Sequence, residues 1–386
     1  MASIIQLLHA MVQKEASDLF ITAGARISLK IDGRVRPTSL PEVTPDEARA
    51  LAYELMTADQ IQRFEATREM NFGYGIPGTG RFRFNVFQQR GAVAVVVRRL
   101  SSEVPSLEQL KMPRVLERLS LERRGLLLVV GATGSGKTST MASMIEHRNS
   151  RVEGHILTVE DPIEYVFRHK KSLVNQREVG TDTDSYNVAL MNALREAPDM
   201  IMVGEIRDRN TMEQVISYAN TGHFCLSTLH AINSYQALVR AITFFPQDAR
   251  QSVLFDLATC LVGIVAQRLV RTKTGERVPA VEVFGVNYHV RELIREGKLD
   301  EIREIIEKGR SDDMQSFDYA LIQLVREGKI DFEEARINSD SPRQLHLLAE
   351  QGEEEHGGSV QAPAADSLLE DGPPALDLPS IELPRV

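Results

Sequence analysis

Apolar residues in the first hundred positions follow a helical spacing in some segments and a strand-like spacing in others. Residues 4–12 carry apolar side chains on one face at helical spacing. Residues 45–64 are also predicted to form a helix, with Thr44 as its N-cap. The predicted strands are 18–22, 28–31, 72–76, 80–88 and 92–100. We therefore predict an α+β domain over 1–100, followed by a linker over 101–115 that contains two prolines.

Beyond residue 116 the pattern changes to short apolar runs that alternate with helical segments, which is typical of a mostly parallel sheet. The predicted strands are 126–130, 155–159, 200–203, 224–228 and a hairpin around Thr274-Gly275 that includes 280–284. This pattern predicts an α/β core over 116–286 and a helical region over 287–350. The segment 351–386 is rich in proline and acids and lacks periodicity, so we predict a disordered tail.

Composition and charge narrow the classes of function. Hydrophobic residues make up 42% of the chain and charged residues 26%, as in a globular protein. The formal charge is −9, of which −7 lies in 351–386, and −9 − (−7) leaves −2 for the body. A nearly neutral body without Trp argues against a nucleic-acid translocase, because such a protein needs a basic channel and stacking aromatic side chains.

The sequence does not predict insertion into a membrane. No apolar run approaches the ~20 residues that cross a bilayer, so we expect no transmembrane segment. The N-terminus lacks the basic start of a signal peptide. Cys225 and Cys260 lie in apolar stretches and indicate buried thiols in a reducing compartment. We therefore expect a cytoplasmic protein.

A glycine-rich loop directly after the predicted strand 126–130 carries the strongest chemical signal. Its sequence is Gly131-Ala132-Thr133-Gly134-Ser135-Gly136-Lys137-Thr138, and a predicted helix follows. Glycines let several backbone N–H groups converge on one phosphate, and the N-terminus of the helix adds partial positive charge. In such loops the lysine reaches the β- and γ-phosphates, and the final hydroxyl ligates Mg²⁺. We therefore predict a site for ATP and Mg²⁺, with Thr138 as a metal ligand and with nucleotide-binding residues Gly131, Thr133, Gly134, Ser135, Gly136, Lys137, Thr138 and Ser139.

Polar side chains also follow three other predicted strands, at the edge where open α/β sheets bind ligands. Glu164 ends the acidic segment 160–164 and is the candidate that orients the attacking water. Glu205 follows the apolar strand 200–203, which is the pattern of a Walker B acid that holds Mg²⁺. His230 ends the next strand and is the candidate sensor of the γ-phosphate. Zinc is a poor interpretation, because no third or fourth ligand lies at a suitable spacing.

Hydrolysis also requires positive charge against the γ-phosphate. Arg81, Arg83 and Arg98 lie on neighbouring predicted strands of the first domain. These arginines either reach phosphate oxygens across the cleft between the domains or face solvent, as arginines on strands commonly do. The sequence alone leaves both interpretations open.

Taken together, these motifs resemble those of the secretion ATPase superfamily, which serves type II and type IV secretion and type IV pilus systems. The chain looks like a twitching-motility, or pilus-retraction, ATPase of the PilT/PilU type, over residues 2–351. The motifs that carry the resemblance are the Walker A loop 131–138, the Asp box 160–164, the end of Walker B at 204–208 and the His box 221–230.

Within this group the chain is closer to PilU than to PilT. The segments that look like PilU are 175–180, 244–246 and 314–318. Residues 288–295 depart from the corresponding PilT motif, which leaves open whether the chain drives retraction alone. Assembly ATPases of the superfamily carry a four-cysteine zinc insert, which two cysteines cannot build, and this favours retraction over extension.

The resemblance implies a PAS-like N-terminal domain, a RecA-like P-loop core and a homohexameric ring. It assigns Arg83 and Arg98 to the γ-phosphate, Glu164 to the attacking water and Glu205 to Mg²⁺, with the division between the two acids left open. It also implies a motor that retracts pili with a PilT-type partner, peripheral at the inner membrane beside a platform protein. The alternatives are an accessory ATP-binding ring that modulates a partner motor, and a type II secretion or assembly-type ATPase.

Overall fold

The computed structural model describes residues 3–100, 103–311 and 313–356. Two compact units divide the chain: one contains 1–270 and 277–316, and the other contains 271–276 and the chain from Phe317 onward. The first unit holds an N-terminal module and the core that carries the glycine-rich loop.

The N-terminal module is a six-stranded antiparallel sheet with three helices. Its elements are helix α1 (Ile4–Gln13), strands β1 (Asp18–Thr22), β2 (Arg26–Ile31) and β3 (Arg34–Glu42), helices α2 (Pro45–Tyr53) and α3 (Ala58–Thr67), and strands β4 (Glu69–Ile76), β5 (Gly80–Gln89) and β6 (Ala92–Arg99). The strand order is β3-β2-β1-β6-β5-β4. Leu8, Leu51 and Phe84 are buried in one apolar cluster between the helices and the sheet, so this module has its own core.

The single helix predicted over 45–64 is wrong, because the structure has two helices there. Thr57 begins the second helix with a capping box. The Thr57 side chain accepts a hydrogen bond from the Gln60 backbone N–H at 3.3 Å, and the Gln60 side chain accepts one from the Thr57 N–H at 2.9 Å. This reciprocal pair satisfies backbone donors that a continuous helix would use internally, so it favours a new helix start.

The core is a nine-stranded sheet in the order β14-β15-β13-β12-β7-β11-β10-β8-β9. Its elements in chain order are α4 (Val115–Leu119), β7 (Gly125–Val130), α5 (Lys137–Asn149), β8 (Gly154–Glu160), β9 (Ser172–Glu178), α6 (Tyr186–Ala193), β10 (Met200–Val203), α7 (Arg209–Asn220), β11 (Phe224–Leu229), α8 (Ser234–Thr243), α9 (Arg250–Cys260), β12 (Leu261–Arg271), β13 (Arg277–Gly285), α10 (Tyr288–Glu296), α11 (Leu299–Lys308), β14 (Arg310–Ser311) and β15 (Met314–Gln315). Short 3₁₀ turns lie at Leu194–Glu196 and Gln247–Ala249. The six strands from β12 to β9 run parallel.

The hydrophobic pattern explains the centre of this sheet. β7, β10 and β11 are buried along their whole length, because helices cover both faces of a parallel sheet. Their predicted positions agree with the structure to within a residue at each end. The parallel fold with a glycine-rich loop after β7 is the RecA-like core that the resemblance implies, and the predicted α/β fold class is confirmed.

The second unit contains the helices α12 (Phe317–Arg326), α13 (Phe332–Asn338) and α14 (Pro342–His356). The expected helical region over 287–350 also contains the hairpin β14–β15, which pairs with β13 and is not helical. Helix α14 extends past residue 350 into the predicted tail, and the rest of that tail, 357–386, lies outside the described residues. Within the described ranges, no helix has both the length and the apolar character needed to cross a bilayer.

Candidate nucleotide-binding site

Neighbouring parallel strands bring the predicted motifs to one edge of the sheet. β7, β11, β10 and β8 lie side by side, and each ends at the same edge. The glycine-rich loop, His230 of the His box, the Walker B acid and the Asp box lie at the carboxyl ends of these strands, in that order. A cleft of ≈ 230 Å³ lies there, and the predicted site residues that line it are Arg83, Thr133, Gly134, Lys137, Thr138, Glu164, Glu205 and His230. This edge is where α/β sheets bind ligands.

The glycine-rich loop is folded tightly against β12. Gly131 has φ +150°, and a Cβ there would lie 2.4 Å from the carbonyl oxygen of Gln267 and 2.5 Å from the Ser135 hydroxyl. No side chain fits in that space, so the position requires glycine. Gln267 is itself fixed, because its side-chain oxygen accepts a hydrogen bond from the Thr140 hydroxyl at 2.7 Å. The buried Gln267 therefore packs against the glycine-rich loop and restricts its conformation.

Two features of the loop fit a polyphosphate. The Ser135 hydroxyl is buried and has no hydrogen-bond partner among the described residues. Helix α5 begins at Lys137, and its N-cap Gly136 provides no side-chain cap, which leaves the N–H groups of the first turn free for an anion. Buried polar atoms and helix N-termini are normally paired, so the loop offers donors of the kind that a phosphate chain accepts.

Lys137 and Thr138 begin the helix at the mouth of the cleft. The Lys137 ammonium donates to the carbonyl oxygens of Gly131 and Ala132 at 2.9 and 3.0 Å, which holds it beside the loop. Burial lowers the Lys137 pKa, and the charge of Glu205 opposes that shift. Thr138 is exposed and lines the cleft. Both side chains therefore line the cleft, and their phosphate and Mg²⁺ roles stay predictions.

The Asp box places three acids on the cleft: the buried Glu160 and the more accessible Asp161 and Glu164. Glu160 is 5% exposed and accepts hydrogen bonds from the Thr158 hydroxyl at 2.7 Å and the Gln176 amide at 3.1 Å. Burial raises the pKa of Glu160 to about 6. Glu164 is half-buried, and one carboxylate oxygen lies 3.5 Å from the guanidinium of Arg83 on β5. The N-terminal module therefore contributes a cation to this edge of the core.

Glu205, the Walker B acid, lies between the Arg207 guanidinium and the His230 imidazole. One Glu205 oxygen accepts a hydrogen bond from the Arg207 guanidinium at 2.8 Å, and the other lies 2.6 Å from the His230 ring. The bond to Glu205 raises the Arg207 pKa, and Arg207 also lies 3.8 Å from Asp161. Within the part of the chain that the structure describes, no cluster of three or more His, Cys, Asp or Glu side chains could hold a metal. A Walker site does not need one, because Mg²⁺ takes one or two protein ligands together with phosphate oxygens and water.

Two of the predicted residues have other partners. Arg98 lies opposite Arg83 in the β5–β6 register, but its guanidinium donates to the buried Asp18 at 2.9 Å, and Arg98 does not line the cleft. Its assignment to the γ-phosphate stays a prediction. Ser139 lies in the first turn of α5, with its hydroxyl 2.9 Å from that of Tyr165. Gly131, Ser135 and Gly136 lie in the loop itself, behind the residues that line the cleft.

Sequence reasoning missed several residues that order the site. Tyr165 and Gln267 contact the first turns of α5, Arg207 contacts Glu205, and Glu178 binds Arg81 of the N-terminal module. Arg207 lies two positions after Glu205, which is a local signal that sequence reasoning could have used. For Gln267 and Glu178 the signal is weaker, because only the fold shows that these polar side chains are buried.

A second and larger cleft, of ≈ 560 Å³, lies at the opposite edge of the sheet. Its lining includes Arg124 and Gly125 at the start of β7 and Cys260 at the end of α9. It contains none of the predicted site residues, and it lies at the amino ends of the parallel strands, away from the edge where these sheets bind ligands. The nucleotide site is therefore identified by the residues that line it and not by the volume of the cleft.

A RecA-like parallel sheet with a Walker A loop, a Walker B acid and further acids at one edge defines a P-loop ATPase. The family described as "Type II/IV secretion system protein" matches residues 1–312. The chain is 44% identical to the type IV pilus ATPase PilU of Pseudomonas aeruginosa over 95% of this chain and 97% of that protein. It is 40% identical to the type IV pilus retraction ATPase PilT of the same organism over 88% of this chain and 98% of that protein.

A solved structure agrees with these sequence relatives. The crystal structure of the pilus retraction motor PilT with bound ADP matches with a TM-score of 0.84 and 40% identity, over 90% of this chain and 100% of that one. The chain therefore belongs to the type II/IV secretion system protein family, and within it to the PilT/PilU-like type IV pilus ATPases. The resemblance that the sequence motifs carry is confirmed, as are nucleotide binding and ATPase activity.

Proposed function

We propose that this pilus motor ATPase works as a homohexameric ring that drives retraction of type IV pili. The observation that carries the proposal is the Arg83–Glu164 contact, at 3.5 Å, between the N-terminal module and the Asp box. Through this contact the state of the nucleotide can act on the position of the module. A motor needs such a link between the nucleotide and a part that moves.

Within this proposal the residues of the cleft divide the work of hydrolysis. The glycine-rich loop and Lys137 hold the phosphates, while Thr138 and Glu205 would hold Mg²⁺, which supplies positive charge to the β- and γ-phosphate oxygens when bound. Glu164 orients the water that attacks the γ-phosphorus, and Arg83 stabilises negative charge on the departing phosphoryl group. His230, in contact with Glu205, senses whether the γ-phosphate is present. Arg98 remains a second candidate for the γ-phosphate.

The binding partners of the proposed ring are inferred from the related proteins, because the nucleotide cleft does not indicate them. The similarity to a protein named as the pilus retraction ATPase PilT supports retraction as the direction of movement. We infer a cytoplasmic ring that lies against the inner membrane, contacts the platform protein of the pilus and acts with a PilT-type motor. The alternative of a type II secretion or assembly ATPase has less support, because the type II secretion relatives match over 70% of this chain and 55% of their own length.

One observation favours a second candidate, an accessory ring that modulates a partner motor. Residues 288–295, which depart from the PilT motif, lie in α10, and Tyr288 at its start is 78% exposed. This segment differs from the corresponding segment of PilT. An exposed aromatic side chain in such a segment is suited to contact another protein. In this candidate the chain still hydrolyses ATP but does not move pili without the partner.

Deletion of the gene in the organism that encodes it tests the proposal. Loss of retraction predicts cells that carry excess surface pili and do not spread by twitching, and a Lys137→Ala allele should reproduce that phenotype. Cells without pili would instead indicate an assembly motor and would refute retraction. The accessory ring would be identified by a different result. Cells that lack only this gene would twitch normally, and twitching would be lost only when the activity of the PilT-type motor is also reduced.

A further inference from the structure

A buried carboxylate outside the predicted site joins the N-terminal module to the core. Glu178 ends β9, and its side chain is 2% exposed. Its carboxylate accepts hydrogen bonds from the Arg81 guanidinium at 2.7 Å, the backbone N–H groups of Gly73 and Ile163 at 3.1 Å each, and the Thr181 hydroxyl at 3.2 Å. Arg81 and Gly73 belong to the module, whereas Ile163 belongs to the Asp box. One side chain therefore holds both parts.

The approach of the two parts is close enough to constrain the backbone. Gly73 on β4 lies opposite Arg83 on β5 in the strand register, two positions from Arg81. A Cβ on Gly73 would lie 2.8 Å from the Arg81 guanidinium and 3.0 Å from each oxygen of Glu178. Glycine therefore lets the carboxylate reach the backbone of β4, and a larger residue would displace the Arg81 guanidinium and the Glu178 carboxylate from this contact.

The hydrogen bonds to Glu178 are directional and cannot be exchanged easily for water. A buried carboxylate is costly unless its charge is paired and its oxygens are occupied by donors. Here a guanidinium supplies the charge, and two backbone N–H groups and a hydroxyl fill the remaining sites. Removal of Arg81 leaves the Glu178 carboxylate buried without a compensating charge, so the contact is suited to fix a geometry.

The contact lies directly beside the residues proposed to act on the γ-phosphate. Arg83 follows Arg81 by two positions and shares its face of β5, while Phe82 between them is buried in the core of the module. Glu164 follows Ile163 directly in the Asp box. Glu178 therefore holds the immediate neighbours of both members of the Arg83–Glu164 contact.

We propose that Glu178 and Arg81 are a positioning pair that sets where Arg83 and Glu164 lie relative to the γ-phosphate. The pair does not touch the nucleotide and acts through its neighbours. This inference rests on the proposed roles of Arg83 and Glu164. A misplacement of about 1 Å at a reacting centre is enough to slow turnover by about 10²-fold, so loss of the pair slows hydrolysis while the Walker A loop still binds ATP.

The test compares steady-state ATPase kinetics of Glu178→Gln, Arg81→Ala and the double variant in the full chain. Gln keeps one oxygen, which can accept from only one of the two backbone N–H groups, and it removes the charge that pairs with Arg81. We expect each single variant to lower kcat by about tenfold or more, with KM for ATP changed less than about threefold. The double variant should be no slower than the slower single variant, because both substitutions remove the same contact.

Arg177→Ala provides the matched control. Arg177 precedes Glu178 on β9, pairs with Glu196 at 2.8 Å and is 24% exposed, compared with 25% for Arg81. Its ion pair stays within the core and does not reach the N-terminal module. Arg177→Ala should therefore retain a kcat close to that of the unmodified chain, and an equal loss of kcat in this variant would overturn the proposal.

Hydrogen exchange gives a readout that does not depend on turnover. Glu178→Ala removes the acceptor, so the amides of Gly73 and Ile163 should both exchange faster, in two segments far apart in sequence. If Glu178→Gln does not fold, Arg81→Ala still tests the pair, since Arg81 is partly exposed. Unchanged kcat in a folded Arg81→Ala, or additive losses in the double variant, would overturn the pair.

A parallel Glu164→Gln variant separates this inference from the proposed function. Slow turnover in Glu164→Gln together with normal turnover in Glu178→Gln refutes the positioning pair alone. Normal turnover in Glu164→Gln refutes the proposed role of Glu164, and the inference that rests on it is refuted as well.

Discussion

Four carboxylates line the nucleotide cleft, and the surroundings of the three glutamates among them separate their roles. Glu160 is buried and hydrogen-bonded to Thr158 and Gln176, so it organises the Asp box from within. Glu164 is half-buried and lies beside Arg83. Glu205 accepts a hydrogen bond from Arg207 and lies beside the His230 ring. Burial and neighbouring cations, rather than residue type, distinguish the three acids.

Glu160→Gln should change how stability depends on pH. Burial raises the Glu160 pKa from 4.5 to about 6, so between these values the folded protein keeps a proton that the unfolded chain has released. The free energy of unfolding therefore falls as pH rises through this window, by about 2 kcal/mol in total. Gln does not titrate, so the stability of the unmodified chain relative to Glu160→Gln should fall by that amount between about pH 4 and pH 7. Chemical unfolding of both proteins across this range measures it.

The exposed Glu153 provides the control, since Glu153→Gln should show no such trend relative to the unmodified chain. A stability difference between the unmodified chain and Glu160→Gln that stays constant with pH would show that the Glu160 pKa is the same in the folded and unfolded protein, and it would contradict the upward shift.

Glu164→Gln and Glu205→Gln should have different kinetic signatures. A group that activates water contributes about 10²–10⁴-fold, so Glu164→Gln should bind ATP normally while kcat falls by at least about 10²-fold. Glu205→Gln should instead raise the Mg²⁺ concentration needed for half-maximal activity, because it weakens the hold on the metal. ATPase rates measured over a Mg²⁺ titration distinguish the two. The reverse pattern would exchange the roles of the two acids.

At the scale of secondary-structure elements, the strands that carry the motifs were predictable because parallel sheets bury continuous apolar runs. β7, β10 and β11 are such runs, and each ends in the polar motif that identifies its function. β9 was not predicted, because polar residues such as Gln176 and Glu178 interrupt its apolar pattern. These side chains are satisfied by the Asp box and by the N-terminal module, which are distant in sequence.

Sequence patterns also left two other features undecided: the partners of Arg83 and Arg98, and the break between helices α2 and α3. The strand pattern placed Arg83 and Arg98 together, but only the fold shows that Asp18 binds Arg98 while Arg83 faces Glu164. The start of α3 at a capping box was readable in principle, since Thr57 and Gln60 have the required spacing. Local signals therefore predict elements well, whereas partners far apart in sequence decide which polar side chains enter the site.

Helix α7 follows the Walker B segment, and its N-cap should matter for stability. The Asp208 side chain accepts hydrogen bonds from the Thr211 backbone N–H at 2.9 Å and from the Thr211 hydroxyl at 3.2 Å. Asp208→Ala leaves these donors without a partner and should lower the free energy of unfolding by about 1 kcal/mol. Asp208→Asn keeps a capping oxygen and should cost much less. Thermal unfolding of the two variants measures the difference, and an equal loss in both would exclude capping as the cause.

At the scale of the whole molecule, most of the net negative charge and the predicted site residues lie in different parts of the chain. The segment 351–386 carries −7 of the formal charge of −9, whereas every predicted site residue lies in the first of the two compact units. Removal of the chain after His356 should therefore leave kcat and KM for ATP within about twofold of the full chain. Steady-state kinetics and the elution volume of both proteins test this. A loss of activity or of assembly would show that the acidic segment contributes to the motor.

The central claim is that the cleft at the carboxyl ends of β7, β8, β10 and β11 binds and hydrolyses ATP. Lys137→Ala tests it most directly, with ATP binding and phosphate release measured at millimolar Mg²⁺ and the exposed Lys171→Ala as control. Lys137→Ala should lose at least about 10²-fold in kcat/KM, because it removes the cation that contacts the β- and γ-phosphates. Lys171→Ala should match the unmodified chain. Hydrolysis by Lys137→Ala at the full rate would contradict the account.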